Sequence, residues 1–248
     1  MRPVNVRAVI LAGQRPGPDA LCVAAGVEWK ADIPVGGVPM LERVSQALRD
    51  AGVDEPFTLS GYPVERDGYA FAEGGVGPAD SALLACENGP FPVLLTTCDH
   101  ALLSADMVAS FLEGARASDA DFCVGLATEA VVQAAYPETS RTYLRFSDYA
   151  VSGCNLFYLA NEDALDALRF WRTAQHARKE PLKLARMVGV GLGLKFASGR
   201  LSLQGAFDAV GKKLGITAAP ILLPSAEAAI DVDKPSDLEL VERIVAAR

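Results

Sequence analysis

The sequence predicts an α/β fold in which helices cover both faces of a mostly parallel sheet, giving three layers. Three observations lead there. Short apolar runs alternate with stretches whose apolar residues recur at helical spacing. The first run, Arg7 to Leu11, breaks into a Gly- and Pro-containing loop rather than a hairpin. Val93 to Thr97 has no polar alternation, as expected of a central strand buried on both faces. A chain of 248 residues fits one large domain with room for an inserted subdomain, here the basic, mainly helical stretch at about 161–215.

The elements follow in order. After the first strand and its loop, Met40 to Ala51 places Met40, Leu41, Val44, Ala47 and Leu48 on one helical face. Pro56 to Ser60 reads as the second strand, Asp80 to Cys86 as a helix, Val93 to Thr97 as a strand, and Ser104 to Ala117 as a helix. A strand over Asp121 to Leu126 comes next. Thr142 to Phe146 alternates like a half-exposed strand, and Asn155 to Leu159 reads as its buried neighbour. Asn161 to Gln175 is helical with Asn161 as N-cap. Pro181 to about Gly215 is apolar, basic and glycine-punctuated, which predicts short helices. Pro220 to Leu223 and Ile230 to Val232 read as late strands. The last helix opens after Pro235, with Ser236 and Glu239 in capping-box spacing.

Composition narrows the chemistry. Five scattered cysteines (Cys22, Cys86, Cys98, Cys123, Cys154) without C-x-x-C pairs suit a reducing cytosol, not a disulfide framework or zinc site. With only His100 and His176, a histidine metal cluster is excluded. No run is long and charge-free enough for a transmembrane helix, and Met1 to Asn5 does not read as a signal peptide, so the expected location is cytoplasmic. A net charge of −8 argues against nucleic acid as a partner. Yet between Arg169 and Lys213 ten Lys and Arg residues stand against only Glu180 and Asp208, a basic island on an acidic chain.

The residues that carry chemistry lie at strand ends. A loop from Gly13 to Gly17 holding Arg15, followed by Lys30, offers bare backbone N–H groups and fixed positive charge to a triphosphate. It is neither a Walker loop nor a G-x-G-x-x-G dinucleotide turn. Asp99 closes the Val93 to Thr97 strand, and Asp231 and Asp233 follow Ile230. A triphosphate cradle with separated carboxylates reads as magnesium-dependent nucleotidyl transfer. Cys98, Asp99 and His100 are adjacent in sequence, and adjacent residues rarely assemble a nucleophilic triad.

Leu11-Ala12-Gly13, Arg15, Gly17 and Lys30, with Pro34-Val35-Gly36-Gly37-Val38-Pro39-Met40-Leu41, resemble the signature of MobA-like NTP transferases. The likeness continues through Thr97-Cys98-Asp99, Gly153-Cys154-Asn155-Leu156 and Ile230 to Leu238. Gln14 stands directly between Gly13 and Arg15, where the family usually has a second glycine and a serine. The resemblance implies a Rossmann-like sheet of the nucleotide-diphospho-sugar transferase type and transfer of NMP from an NTP to a small phosphorylated acceptor. It implies that Leu11, Ala12, Gly13 and Gln14 contact base and phosphates, that Ser81 meets base or ribose, and that Arg15 and Lys30 hold the triphosphate. Asp99 and Asp231 would share Mg²⁺, with Asp233 the alternative second ligand, and Asn155 would face the acceptor.

The basic island admits three readings: an acceptor pocket in which Arg141, Arg145, Lys179 and Lys183 grip a phosphate, contact with an anionic membrane or lipid-linked acceptor, or a subdomain whose cations face solvent or pair with acids of this chain or of a second subunit in a homodimer. In the membrane reading, Leu182, Leu184, Met187, Val188, Leu192, Leu194 and Phe196 supply the apolar face. Two alternatives to the transferase stay open here, a nucleotide-sugar glycosyltransferase and a non-catalytic nucleotide-binding protein.

Overall fold

The computed structural model describes residues 5–14, 17, 19–63, 65–139, 141–176, 187 and 189–248. Its main sheet joins eight strands: β1 (Arg7–Leu11), β4 (Phe57–Ser60), β5 (Tyr69–Ala72), β6 (Val93–Thr97), β7 (Phe122–Thr128), β8 (Leu144–Arg145), β9 (Ala150–Leu159) and β10 (Ala218–Leu222). The order is β10-β7-β9-β6-β1-β4-β5, with β8 added along β9. Strands β1, β4, β5 and β6 pair in parallel, as do β7 and β10, while β9 runs antiparallel to both β6 and β7. A separate two-stranded hairpin pairs β2 (Pro34–Val35) with β3 (Val38–Pro39).

Period-two alternation sends the side chains of β1 to opposite faces. Ala8 and Ile10 join Phe57, Leu59 and Leu94 under helices α2 (Met40–Asp50) and α4 (Ala105–Ser118), which contribute Val44, Leu48, Val108 and Phe111. Val9 and Leu11 join Val93 and Leu95 on the other face, under α3 (Pro78–Glu87) and α6 (Leu165–His176), through Ala82, Leu83, Leu165 and Leu168. Helices therefore cover both faces, as expected. The predicted α2 is amphipathic because its buried residues Met40, Leu41, Val44, Ala47 and Leu48 share one stripe.

The segment at about 161–215 supplies α6, then α7 (Val190–Ala197) and α8 (Leu203–Leu214). Leu203 of α8 packs with Leu126 and Val151 of the sheet. The Asn161 side chain does accept the Ala164 N–H, but the turn it caps is a 3-10 turn at Glu162–Ala164 that leads into α6.

Several boundaries differ from expectation for local reasons. Ile230 to Val232 is not a strand: the segment leaves a 3-10 turn at Ala226–Ala229, to which the Ile230 N–H donates back at the Glu227 carbonyl (3.0 Å), and the Val232 N–H donates to the Asp99 carbonyl at 3.1 Å. The final helix, α9 (Pro235–Ala246), is not capped by Ser236 and Glu239. The Asp237 carboxylate accepts the N–H groups of Asp233 and Lys234 at 3.1 and 3.2 Å. Sequence reading passed over α1 (Ala20–Ala25), α5 (Glu129–Ala135), β5 and the β2–β3 hairpin. Each is short, and β5 (Tyr-Ala-Phe-Ala) has no polar residue to mark an alternation.

Candidate active site

Glycines follow within two residues of the ends of the parallel strands β1, β4 and β5, and their backbones meet. A Cβ added to Gly61 would lie 2.8 Å from the Gly13 Cα, and one added to Gly74 would lie 2.9 Å from the Gly61 Cα. Gly61 also has φ +79°, a conformation that glycine alone adopts cheaply. Cross-strand bonds lock this floor: Ala12 N–H to the Ser60 carbonyl at 3.0 Å and Gly61 N–H to the Ala72 carbonyl at 2.9 Å. The outcome is a patch of bare backbone at the carboxyl ends of a parallel sheet, where α/β folds bind ligands.

Two expected contact residues also serve the floor itself. The Gln14 side chain accepts the Lys30 N–H at 3.0 Å and donates to the Glu28 carbonyl at 3.1 Å, tying the glycine loop to the Lys30–Asp32 turn. The buried Ser81 hydroxyl accepts the Gly75 N–H at 2.9 Å, and its own carbonyl accepts from the Ser60 hydroxyl at 3.3 Å. Leu11 is buried beneath them. Sequence reading missed Gly61 and Gly74. The signal was present, a glycine just after a strand, but its meaning depends on three strands ending side by side.

Lys30 brings the far ends of the chain together. Its ammonium lies 2.6 Å from Asp99 Oδ2 and 2.9 Å from Asp233 Oδ1. Burial alone would lower its pKa, but the charge of Asp99 and the hydrogen bonds to Asp99 and Asp233 hold it above the ordinary lysine value. The second carboxylate of the late segment turns elsewhere. Asp231 pairs with Arg141, whose guanidinium also donates to the Asp231 carbonyl at 3.2 Å, and accepts from Asn155 Nδ2 at 3.2 Å. Asn155 reaches it because β9 bulges between its Gly153 and Phe157 pairings. At the bulge Asn155 has φ 49°, the left-handed region that asparagine tolerates best among residues with a Cβ.

His100 lies under this cluster, 1% exposed, with neither ring nitrogen in a well-formed hydrogen bond. Burial lowers its pKa to about 4 against the opposing pull of Asp99 and Asp231, so it is a neutral wall of the site.

Of the expected site residues, the structure gathers Lys30, Asp99 and Asp233 at one point and Asp231, Asn155 and Arg141 beside it. Arg145 is exposed and forms a two-pronged pair with Glu129, both contacts at 2.8 Å. Arg15, Lys179 and Lys183 lie outside the described residues. Arg141 also lines a groove of about 780 Å³ together with Lys234, Glu239 and Arg243 of the α9 end.

The donor set bears on a metal. Among the described residues no three His, Cys, Asp or Glu side chains form a ready-made ligand cluster. Asp99 Oδ1 is buried and accepts no hydrogen bond, and the Lys30 ammonium joins this carboxylate to that of Asp233. An oxygen-only set with one or two carboxylates fits Mg²⁺, which fills its shell with water and phosphate oxygens.

The model of the MobA-like NTP transferase domain matches residues 8–180. The chain belongs to that family. No curated protein matches the sequence. Among solved structures, this MobA-like chain resembles a hypothetical transferase of Thermus thermophilus at 32% identity and a TM-score of 0.80, over 96% of this chain and all of the other. It shares its fold with the 2-C-methyl-D-erythritol 4-phosphate cytidylyltransferase of Thermus thermophilus, at 19% identity, a TM-score of 0.54, and coverage of 98% and 100% of the two chains. The molybdopterin-guanine dinucleotide biosynthesis protein A of Archaeoglobus fulgidus matches at 12% identity and a TM-score of 0.54, over 98% of this chain and 100% of its own.

Proposed function

We propose that this protein is a nucleotidyltransferase that moves NMP from an NTP to a small phosphorylated acceptor and releases pyrophosphate. The observation that carries the reading is the meeting of Lys30 with Asp99 and Asp233 beside the Gly13, Gly61 and Gly74 floor. An acidic pair and a cation at the edge of bare backbone suit a triphosphate whose charge must be divided between fixed donors and a divalent ion.

The glycine floor would take the nucleotide, because only backbone without Cβ atoms lets a ring or phosphate approach so closely. Gln14 and Ser81 keep that floor in place. Lys30 would turn its ammonium from the carboxylates to the phosphates as the triphosphate enters, and Arg15 would join it. Asp99, with Asp231 or Asp233, would hold Mg²⁺, which would supply charge neutralisation for the transferred phosphoryl group. Asn155 fixes Asp231, and Arg141 together with the groove beside it would receive the acceptor phosphate.

An acceptor phosphate is already ionised near neutral pH, so positioning and charge stabilisation suffice without a general base. The neutral His100 accords with that. The test is pyrophosphate release from CTP, GTP, UTP and ATP with Mg²⁺ and a panel of sugar, polyol and cofactor phosphates. Release with one nucleotide–acceptor pair is the expected result. Release of a nucleoside diphosphate from a nucleotide sugar instead would assign glycosyl transfer, and neither product would leave a binding protein.

A further inference from the structure

Helix α7 packs only loosely against the described part of the protein. Of its residues only Lys195 is charged, yet none of the eight is buried. Val190 and Leu194 are 60% and 65% exposed, and Phe196 is 37% exposed. A Cβ added to Gly191 or Gly193 meets no atom within 4 Å, so the glycine flank of the helix also faces open space. One edge-to-face contact, Phe146 to Phe196 at 5.4 Å, joins it to the hairpin of β8 and β9, which itself exposes Leu144 and Tyr149. Water-facing apolar side chains grouped in this way are unfavourable unless something covers them.

The surrounding charge indicates what does. Lys195 lies on the helix, the Arg200 N–H donates to the Lys195 carbonyl at 2.9 Å, and the Lys213 ammonium reaches the Met187 carbonyl just ahead of it. From residue 187 to 214 the one acid is Asp208, which accepts from Gln204. A cation-rimmed apolar patch on a chain of net charge −8 is complementary to an anionic surface with an oily interior. A second copy using the same face would set these cations against their equivalents.

We infer that α7 and the β8–β9 hairpin dock this protein reversibly on anionic lipid. Val190, Leu194 and Phe196 would enter the boundary between headgroups and acyl chains, while Lys195, Arg200 and Lys213 meet lipid phosphates. Eight residues of helix span only about 12 Å against a hydrocarbon core of about 30 Å, so the helix lies in the interface. The inference does not rest on nucleotidyl transfer.

The test is flotation of the full chain with phosphatidylcholine vesicles and with equal-part phosphatidylcholine–phosphatidylglycerol vesicles, at low and high salt. The expected result is binding to the anionic vesicles alone, weakened by salt. Leu194→Glu and Lys213→Glu should each weaken it on the order of tenfold, since each changes an apolar or a charge contact at the surface. Both sites are exposed, so matching melting curves will show that the variants are folded. Wild-type protein that stays with the buffer fraction overturns the inference, as does undiminished binding by both variants. A dimer in light scattering that Leu194→Glu dissociates, without vesicle binding, overturns it in favour of a second copy.

Discussion

Replacing Lys30 with methionine, which keeps the length of the stem and removes the charge, separates two roles of one side chain. In the structure the ammonium neutralises Asp99 and Asp233, at 2.6 and 2.9 Å. Its side chain is 17% exposed and that of Asp99 is 16%, whereas Asp233 is 67% exposed. The Asp233 contact therefore counts as a surface pair, about 0.5 kcal/mol. The Asp99 contact lies between that and the roughly 3–5 kcal/mol lost when a buried pair is broken. A total of about 2 kcal/mol is the expected size. The same amount now opposes a divalent ion that seeks these oxygens. Lys30→Met should thus bind Mn²⁺ alone about tenfold or more tightly, because a competing cation is gone, while NTP affinity falls by a similar factor. Paramagnetic resonance of free Mn²⁺ and calorimetry with each NTP would measure the two arms. A folded variant whose metal affinity is unchanged or weaker would refute the account of Lys30 as a placeholder.

Other outcomes follow from the same structure. Gly61→Ala should lower stability by about 2 kcal/mol or more and impair nucleotide binding, since its Cβ would meet the Gly13 backbone at a positive φ; thermal melts with and without NTP would show both. Arg141→Ala should raise the KM for the acceptor well above the effect of Arg145→Ala, because Arg141 holds Asp231 while Arg145 is spent on Glu129 at the surface. Equal effects in steady-state kinetics would contradict that division. All five cysteines are buried and burial raises each thiol pKa, Cys86 to about 12. Native protein should therefore resist a disulfide reagent at neutral pH and react fully once denatured, with early loss of a thiol marking a local opening.

Much of the architecture was legible because it depends on neighbours in sequence. Periodicity placed α2 and α4, and unbroken β-branched and leucine residues placed β6. Reading failed where a segment is defined by what lies beside it. Ile230 to Val232 has strand composition, but its backbone N–H groups donate to Glu227 in the preceding turn and to Asp99 in a loop, so it pairs with no strand. For the last helix, Ser236 and Glu239 fit the spacing of a capping box, yet Asp237 reaches the free N–H groups because of how the chain enters from Asp233.

The same division holds for the site. Sequence alone identified which groups carry charge, Lys30, Asp99, Asp231 and Asp233, and the glycine loop at Gly13 that follows the first strand. Those are matters of residue type and local pattern. Tertiary structure decided their company. It set Lys30 between Asp99 and Asp233, turned Asp231 to Arg141 and Asn155 through a bulge in β9, and made Gly61 and Gly74 part of the Gly13 floor. Charge and conformational preference belong to single residues, whereas pairing is a property of distance, and only the packed sheet brings residues 13, 30, 61, 99 and 231 within reach of one another.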